Sequence, residues 1–211
     1  MDEATSDMKL TPRIHLRRLK PSDVDFLCLL NNDEGVMRYI DDAPPSREEV
    51  EEEVRQIIQA YNKSPKYGKW IAETPAHEGM EFIGWLRLGD LDELAQQCFD
   101  EKDYGVKKSE GEPVVVELGY RLRRRFWGQG LATEGGRALV DYAFCSSNVN
   151  LVVAGTMFVN SRSRRVMEKC GLKHVRTLHL DFDNPLPGTE LGEVFYAISR
   201  EQWLASVGKE S

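Results

Sequence analysis

Residues 117–144, with the sequence ELGYRLRRRFWGQGLATEGGRALVDYAF, combine a strand pattern, a glycine-containing turn and a helix pattern. Apolar residues alternate along residues 114–122, which is the period of a strand, and recur at helical spacing over residues 131–142. Between them, Gly128 and Gly130 let the backbone turn sharply and approach a ligand. The first turn of a helix offers unpaired N–H groups and a partial positive charge, so this segment predicts a phosphate or pyrophosphate site.

Three phosphate-binding motifs share this strand–turn–helix layout, and their residues separate them. A Walker A loop requires Gly-x-x-x-x-Gly-Lys-Ser/Thr, whereas leucine and alanine follow Gly130 here. A dinucleotide fingerprint requires Gly-x-Gly-x-x-Gly, but Thr133 stands where its third glycine belongs. The third pattern, Arg/Gln-x-x-Gly-x-Gly/Ala, is satisfied by Arg125, Gly128 and Gly130.

That third pattern resembles the acetyl-CoA-binding signature of the GCN5-related N-acetyltransferases (the GNAT superfamily). The longer phrase LGYRLRRRFWGQGLATEG is similar to their RimJ/RimL-like ribosomal-protein-alanine acetyltransferase branch. A second block strengthens the resemblance, because a run typical of a buried strand at 151–157 leads to Asn160, Ser163 and a helix pattern that closes on Gly171. The family has the same order: a strand, Asn-x-x-Ser/Ala, and a helix ending Glu-Lys-x-Gly-Phe/Leu.

The resemblance implies a single α+β acetyltransferase domain with a mixed, mainly antiparallel sheet, splayed at the acetyl-CoA site and carrying helices on both faces. It implies acetyl-CoA as co-substrate and no metal. Pyrophosphate would meet the N–H groups of residues 128–133, and pantetheine would pair with the backbone near residues 122 and 123. The expected acetyl-CoA-binding residues are Leu122, Arg123, Arg125, Gly128, Gln129, Gly130, Leu131, Ala132, Thr133, Asn160 and Ser163. For Asn160 and Ser163, helix capping is the competing interpretation.

Acetyl transfer requires a deprotonated amine and a proton for the departing thiolate. Glu117 is the first candidate for the base, working through water from the motif strand; an exposed or salt-bridged strand glutamate is the alternative. Many relatives place their acid, a tyrosine, seven residues after the asparagine, but that position is Met167 here. The candidates to replace it are Ser163 and Tyr196, and an aromatic residue in a terminal strand is more often a core residue.

Composition fits an enzyme of one domain. The 211-residue chain has a formal net charge of −7 and a pI of about 5.3, which argues against a nucleic-acid-binding surface. The local exception is the group Arg121, Arg123, Arg124 and Arg125, which suits CoA phosphates or a solvated strand end. The four cysteines are scattered without metal-ligand spacing, and no membrane segment or signal peptide is evident, so a cytoplasmic enzyme is expected.

The domain is predicted to span residues 13–205, with tails at 1–12 and 206–211. Pro21 opens a first helix, Ser46 and Glu49 form a capping-box pattern ahead of a second helix, and strands are expected at 70–73 and 82–88.

Residues 89–113 form an insertion longer than the usual turn. A short helix is expected around residues 91–99 and a mobile, charged stretch at 101–112. The insertion is interpreted as a substrate lid, a contact in a homodimer or a tolerated surface excursion.

The sequence leaves the amine acceptor open between a protein N-terminus and a small molecule. Acidic residues near the expected acceptor edge favour a cationic amine: Asp181, Asp183, Glu190 and Glu193. The competing hypothesis is a non-catalytic acyl-CoA sensor or interaction module, suggested by Met167 at the usual tyrosine position.

Overall fold

The structure is a computed structural model that describes residues 8–99, 115–146 and 148–208. Its strands are β1 (Met8–Lys9), β2 (His15–Arg18), β3 (Gly68–Ala76), β4 (Gly79–Gly89), β5 (Val115–Leu122), β6 (Leu151–Met157), β7 (Lys173–Leu178) and β8 (Glu193–Ser199). Its α-helices are α1 (Val24–Asn31), α2 (Glu34–Met37), α3 (Arg47–Ala60), α4 (Glu93–Cys98), α5 (Leu131–Ser146), α6 (Ser161–Lys169) and α7 (Arg200–Val207).

The strands form one sheet in the order β1-β2-β3-β4-β5-β6-β8-β7. The ladders β1–β2, β2–β3, β6–β8 and β7–β8 are antiparallel, whereas β5 and β6 are parallel. The β5–β6 ladder contains three pairs, from Val115–Leu151 to Glu117–Val153, although both strands continue beyond it. The predicted α+β fold with a mainly antiparallel sheet is therefore confirmed, and the splay stays a prediction.

The chain divides into two compact units, and the first comprises Met1–Arg87 and Gly119–Gly135. Its core lies between α1, α3 and the strands, and the predicted stripe of Val24, Leu27 and Leu30 is buried there. The capping box of Ser46 and Glu49 is present at the start of α3, as predicted. Strand β1 lies within the stretch predicted as a tail, because Met8–Lys9 pairs with β2.

The second unit comprises Leu88–Leu118 and Gly136–Ser211. The short helix predicted in the insertion is α4, and its Ala95 and Cys98 are buried with Phe99 against Val153 and Phe195 of the sheet. The described part of the insertion thus packs on the core through one side of α4, and the three interpretations of the whole insertion stay predictions. The mobile stretch predicted at 101–112 lies outside the described residues. Helix α7 extends to Val207, so it enters the predicted C-terminal tail.

Candidate active site

The turn between β5 and α5 has the backbone that its two glycines predict. A 3₁₀ turn at Arg124–Phe126 ends the strand, and Gly128 and Gly130 then take left-handed φ values of 74° and 80°. An added Cβ at Gly128 would meet no atom within 4 Å. The turn therefore leaves open space beside its backbone, as a bound pyrophosphate requires.

Helix α5 begins directly after this turn. Its first described backbone hydrogen bond runs from Glu134 N–H to the Gly130 carbonyl, at 2.9 Å. The N–H groups of Leu131 and Ala132 precede that bond, in the part of a helix where no intrahelical acceptor exists. These two predicted residues therefore occupy the positions at which a helix binds phosphate oxygens.

Arg13 is a cation at the turn that the sequence interpretation did not include. Its Nη1 donates to the Gln129 carbonyl at 3.1 Å, and its Nε donates to the Glu134 carboxylate at 2.8 Å. Partial burial works against ionisation of Glu134, but hydrogen bonds from Arg13 and Thr11 outweigh it and lower the pKa of Glu134. No local pattern marks Arg13, because 116 residues separate it from Gln129.

The arginines around the turn all have protein partners. Arg123 donates to the Phe82 carbonyl at 3.0 Å, Arg124 pairs with Asp33 at 2.8 Å, and Arg125 forms an ion pair with Glu81. Arg121 donates from Nη1 to the Asn31 side chain at 2.6 Å. Arg124 and Arg125 are exposed, so the solvated strand end describes these two, whereas Arg121 and Arg123 are partly buried. Phosphate contacts from Arg124 or Arg125 would compete with their existing ion pairs.

The backbone proposed to pair with pantetheine is partly engaged. The Arg123 N–H donates to the Ile83 carbonyl at 2.9 Å, so it is not available to a ligand. The Leu122 carbonyl accepts a hydrogen bond from Trp127 Nε1 at 2.7 Å, which leaves it one further lone pair. A pantetheine contact through the Arg123 N–H is therefore excluded, whereas contacts through the carbonyls of Leu122 and Arg123 stay predictions.

Asn160 is the N-cap of α6. Its Oδ1 accepts from the Ser163 N–H at 3.3 Å, and its Nδ2 donates to Thr156 Oγ1 at 3.0 Å. The capping interpretation thus describes Asn160, and Ser163 supplies the capped amide. Contact of either residue with acetyl-CoA remains a prediction.

Glu117 lies in the last pair of the β5–β6 ladder and is 8% exposed. Its Oε2 accepts a hydrogen bond from the backbone N–H of Asp92 at 2.8 Å. Asp92 is the N-cap of α4, so the carboxylate of Glu117 fixes the position where that helix begins. An exposed strand glutamate is therefore the wrong interpretation, and the role as base remains a prediction.

Glu193 is a second carboxylate near Asp92. It begins β8, opposite Met157 of β6 and Leu178 of β7. Burial, together with the negative charge of Asp92, raises the pKa of Glu193 from 4.5 to about 7. A carboxylate with a pKa near neutrality can exchange protons at physiological pH. The sequence indicated Glu193 only as one of several acidic residues.

Tyr196 lies on the sheet face opposite Glu117. Glu117 is in register with Val153, which pairs with Ala197, and Tyr196 is the next residue on β8. The Tyr196 hydroxyl accepts a hydrogen bond from Arg164 Nε at 3.1 Å, and the side chain is 2% exposed. These contacts are those of a core residue. Because Tyr196 and Glu117 lie on opposite faces of the sheet, the structure does not place them side by side.

The comparison with protein families decides the identity. Residues 13–173 match the model of an acetyltransferase (GNAT) domain, which covers more than two thirds of the chain. The chain belongs to the GNAT family. It is therefore an acetyl-CoA-dependent N-acetyltransferase, and the interpretation as a non-catalytic acyl-CoA sensor is not supported.

Relatives and solved structures agree with this GNAT assignment. The FsC-acetyl coenzyme A-N(2)-transacetylase of Aspergillus fumigatus is 34% identical over 203 residues, which cover 93% of this chain and 80% of that protein. Two solved structures share the fold. The RimL ribosomal L7/L12 alpha-N-protein acetyltransferase in complex with coenzyme A matches 92% of this chain and 98% of its own, with a TM-score of 0.67 and 17% identity. Spermidine N-acetyltransferase from Vibrio cholerae, in complex with CoA and spermine, matches 92% of this chain and 99% of its own, with a TM-score of 0.68 and 19% identity.

The residues of this GNAT chain fit acetyl-CoA at the turn, since the space at Gly128 would admit a phosphate oxygen and the start of α5 supplies N–H groups. Among the residues that the structure describes, no group of three or more His, Cys, Asp or Glu side chains could hold a metal ion. Within the same ranges, each helix is too short or too polar to cross a bilayer.

Proposed function

We propose that this GNAT acetyltransferase transfers the acetyl group to a primary amine of a small molecule. The relative from Aspergillus fumigatus carries this proposal, because its name specifies acetyl coenzyme A and an N(2) nitrogen and its similarity covers 93% of the chain. The similarity to RimL is a similarity of fold at 17% identity, so it supports a protein N-terminus less strongly. The placement in the RimJ/RimL-like branch rests on the phrase LGYRLRRRFWGQGLATEG.

Binding of the donor is assigned to the turn and the start of α5. Bound acetyl-CoA supplies the acetyl group as a thioester. The N–H groups around Gly130 and Leu131 would hold its pyrophosphate, assisted by Arg13, which already contacts the Gln129 carbonyl. Holding the donor in one orientation lowers the entropic part of the barrier to attack.

Proton removal from the amine is assigned to Glu117, acting through water. The amine nitrogen forms a bond to the carbonyl carbon, the carbon–sulfur bond breaks, and the proton lost by nitrogen is matched by one gained by the thiolate. Glu117 is buried, and its Oε2 accepts a hydrogen bond from the Asp92 amide, so its carboxyl group is held in one position. Ser163 remains the candidate for the acid, because Tyr196 is buried on the sheet face opposite Glu117.

We also propose that the protein is located in the cytoplasm. The four cysteines form no disulfide with one another, and two of them, Cys98 and Cys170, are buried. Burial, the largest influence, raises the pKa of the Cys170 thiol to about 12, so this thiol resists oxidation. Free thiols are typical of a reducing cytoplasm, which is the proposed location.

An acceptor screen tests the proposal. Release of free CoA thiol from acetyl-CoA would be followed with polyamines, amino acid derivatives blocked at the side chain, and peptides with N-terminal serine or alanine. We expect turnover with a small amine to exceed turnover with every peptide. Preference for a peptide would refute the small-molecule acceptor and leave the GNAT assignment intact.

A further inference from the structure

Three basic side chains surround one indole ring in the first unit. Lys69 Nζ lies 4.6 Å from the centroid of the Trp85 ring, and the Arg121 guanidinium lies 5.3 Å from it. Arg87 lies on the same side of the sheet, because Gly119 faces both side chains. A Cβ atom added to Gly119 would lie 3.4 Å from the Trp85 ring and 3.6 Å from Arg87 Cβ. We call Lys69, Trp85, Arg87 and Arg121 the Trp85 cluster.

Arg121 has a buried donor without an acceptor. Its Nη1 donates to Asn31 Oδ1 at 2.6 Å and approaches the Met37 sulfur at 3.4 Å. Its Nε is buried and has no hydrogen-bond partner among the described residues. A guanidinium binds a carboxylate through two parallel N–H groups, and the Nε edge of Arg121 is the one that Asn31 and Met37 leave unoccupied.

The basic groups of the Trp85 cluster repel one another electrostatically. Lys69 forms an ion pair with Glu53, and its side chain is 15% exposed. Burial lowers the pKa of Lys69, the Glu53 carboxylate opposes that effect, and the positive charges of Arg121 and Arg87 add to it. Buried cations are stable only when paired, so an incoming anion would relieve this repulsion.

The phosphates of the donor are not the expected anion. A Cβ at Gly135 of α5 would lie 2.9 Å from Leu86 Cδ1, so α5 packs on the β4 face that carries Leu86. Because side chains alternate along a strand, Trp85 and Arg87 point to the opposite face. The pyrophosphate is expected at the beginning of α5, so the Trp85 cluster lies on the other side of the sheet from it.

We infer that the Trp85 cluster binds a carboxylate carried by the amine acceptor, with Arg121 as its bidentate partner. The acceptor would then be an amino acid derivative that keeps its carboxylate, and the cluster would distinguish it from a polyamine. This inference rests on the proposed small-molecule acceptor and names its chemical class.

The test compares two amines that differ in one group. Nε-acetyl-L-lysine carries the carboxylate, and Nε-acetyl-L-lysinamide replaces it with a neutral amide; in both, the α-amine is the only primary amine. Binding of each would be measured by calorimetry without acetyl-CoA, and turnover by thiol release. The enzymes would be the wild type, Arg121→Gln, Arg121→Lys and Arg55→Gln, because Arg55 is an exposed α3 arginine paired with Glu52.

We expect the wild type and Arg55→Gln to bind the acid about tenfold or more tightly than the amide, as one charged bidentate pair allows. Arg121→Gln should remove the preference and Arg121→Lys should reduce it, with acetyl-CoA affinity unchanged. Equal binding of acid and amide by the wild type would refute the carboxylate site. A loss of acetyl-CoA affinity in both Arg121 variants would instead assign the cluster to the donor. Selective binding of the acid without turnover of any amine would overturn the proposed function but keep the site.

Discussion

The carboxylate of Glu117 accepts a hydrogen bond from the backbone N–H of Asp92, 2.8 Å away. Asp92 caps α4 through its own side chain, which accepts from the Ala95 N–H at 2.7 Å. The residue proposed as the catalytic base is therefore also part of the structure that begins α4. A substitution at Glu117 must separate these two roles, because either one could lower activity.

Glu117→Gln makes that separation. Glutamine keeps an oxygen that can accept from Asp92 but cannot take a proton from the amine, so we expect kcat/KM to fall most at low pH while acetyl-CoA affinity is kept. The urea midpoint should stay close to that of the wild type. Wild-type activity across the pH range would assign Glu117 to the anchoring of α4 alone and favour attack by an amine that is already neutral.

Gly128→Val and Gly130→Val test whether the turn between β5 and α5 binds acetyl-CoA. A side chain at either position would enter the space expected for pyrophosphate, so acetyl-CoA affinity should fall at least about tenfold, equivalent to about 1.4 kcal/mol. Gly79→Val is the matched control, because Gly79 has a similar φ of 83° and equally open surroundings but lies in the β3–β4 hairpin. If calorimetry shows the same affinity for folded forms of all three variants, the turn is not the site.

Phe99→Ala tests whether the described part of the insertion belongs to the core. Phe99 is 5% exposed, and its ring meets that of Phe195 edge-on at 6.0 Å between centroids. Truncation of a buried phenylalanine costs about 3–5 kcal/mol, so the free energy of unfolding should fall by that order. Phe182→Ala, at a residue 41% exposed, should have little effect. Equal unfolding free energies for the two variants would contradict the packing of α4.

Glu193→Gln tests the raised pKa of Glu193. Burial raises this pKa from 4.5 to about 7, so protonation of Glu193 stabilises the folded state. That stabilisation is fully present below pH 4.5 and is lost as pH rises through 7. The glutamine side chain is uncharged at every pH. The free energy of unfolding of the variant, compared with that of the wild type, should therefore increase between pH 4.5 and 7. Glu201→Gln controls for removal of one negative charge. A difference between Glu193→Gln and wild type that does not vary with pH would show that Glu193 is not perturbed.

The turn from Arg125 to Thr133 could be predicted because its determinants are local. Left-handed backbone at Gly128 and Gly130 and a helix beginning at Leu131 depend on residues that are neighbours in sequence. The capping box at Ser46 and Glu49 was predictable for the same reason, since its two hydrogen bonds join residues three apart.

The sequence by itself determined most of the strands and longer helices and the glycine turn from Arg125 to Thr133, but not β1, since periodicity and capping act over a few residues. Only the tertiary structure decided which side chains meet there. Arg13 reaches Gln129 across 116 residues, and Asp92 reaches Glu117 across 25. The orientation of Arg121 toward Asn31, rather than toward solvent, depends on which helix covers that face of the sheet. Such contacts follow from strand register and helix packing, which local residue patterns do not specify.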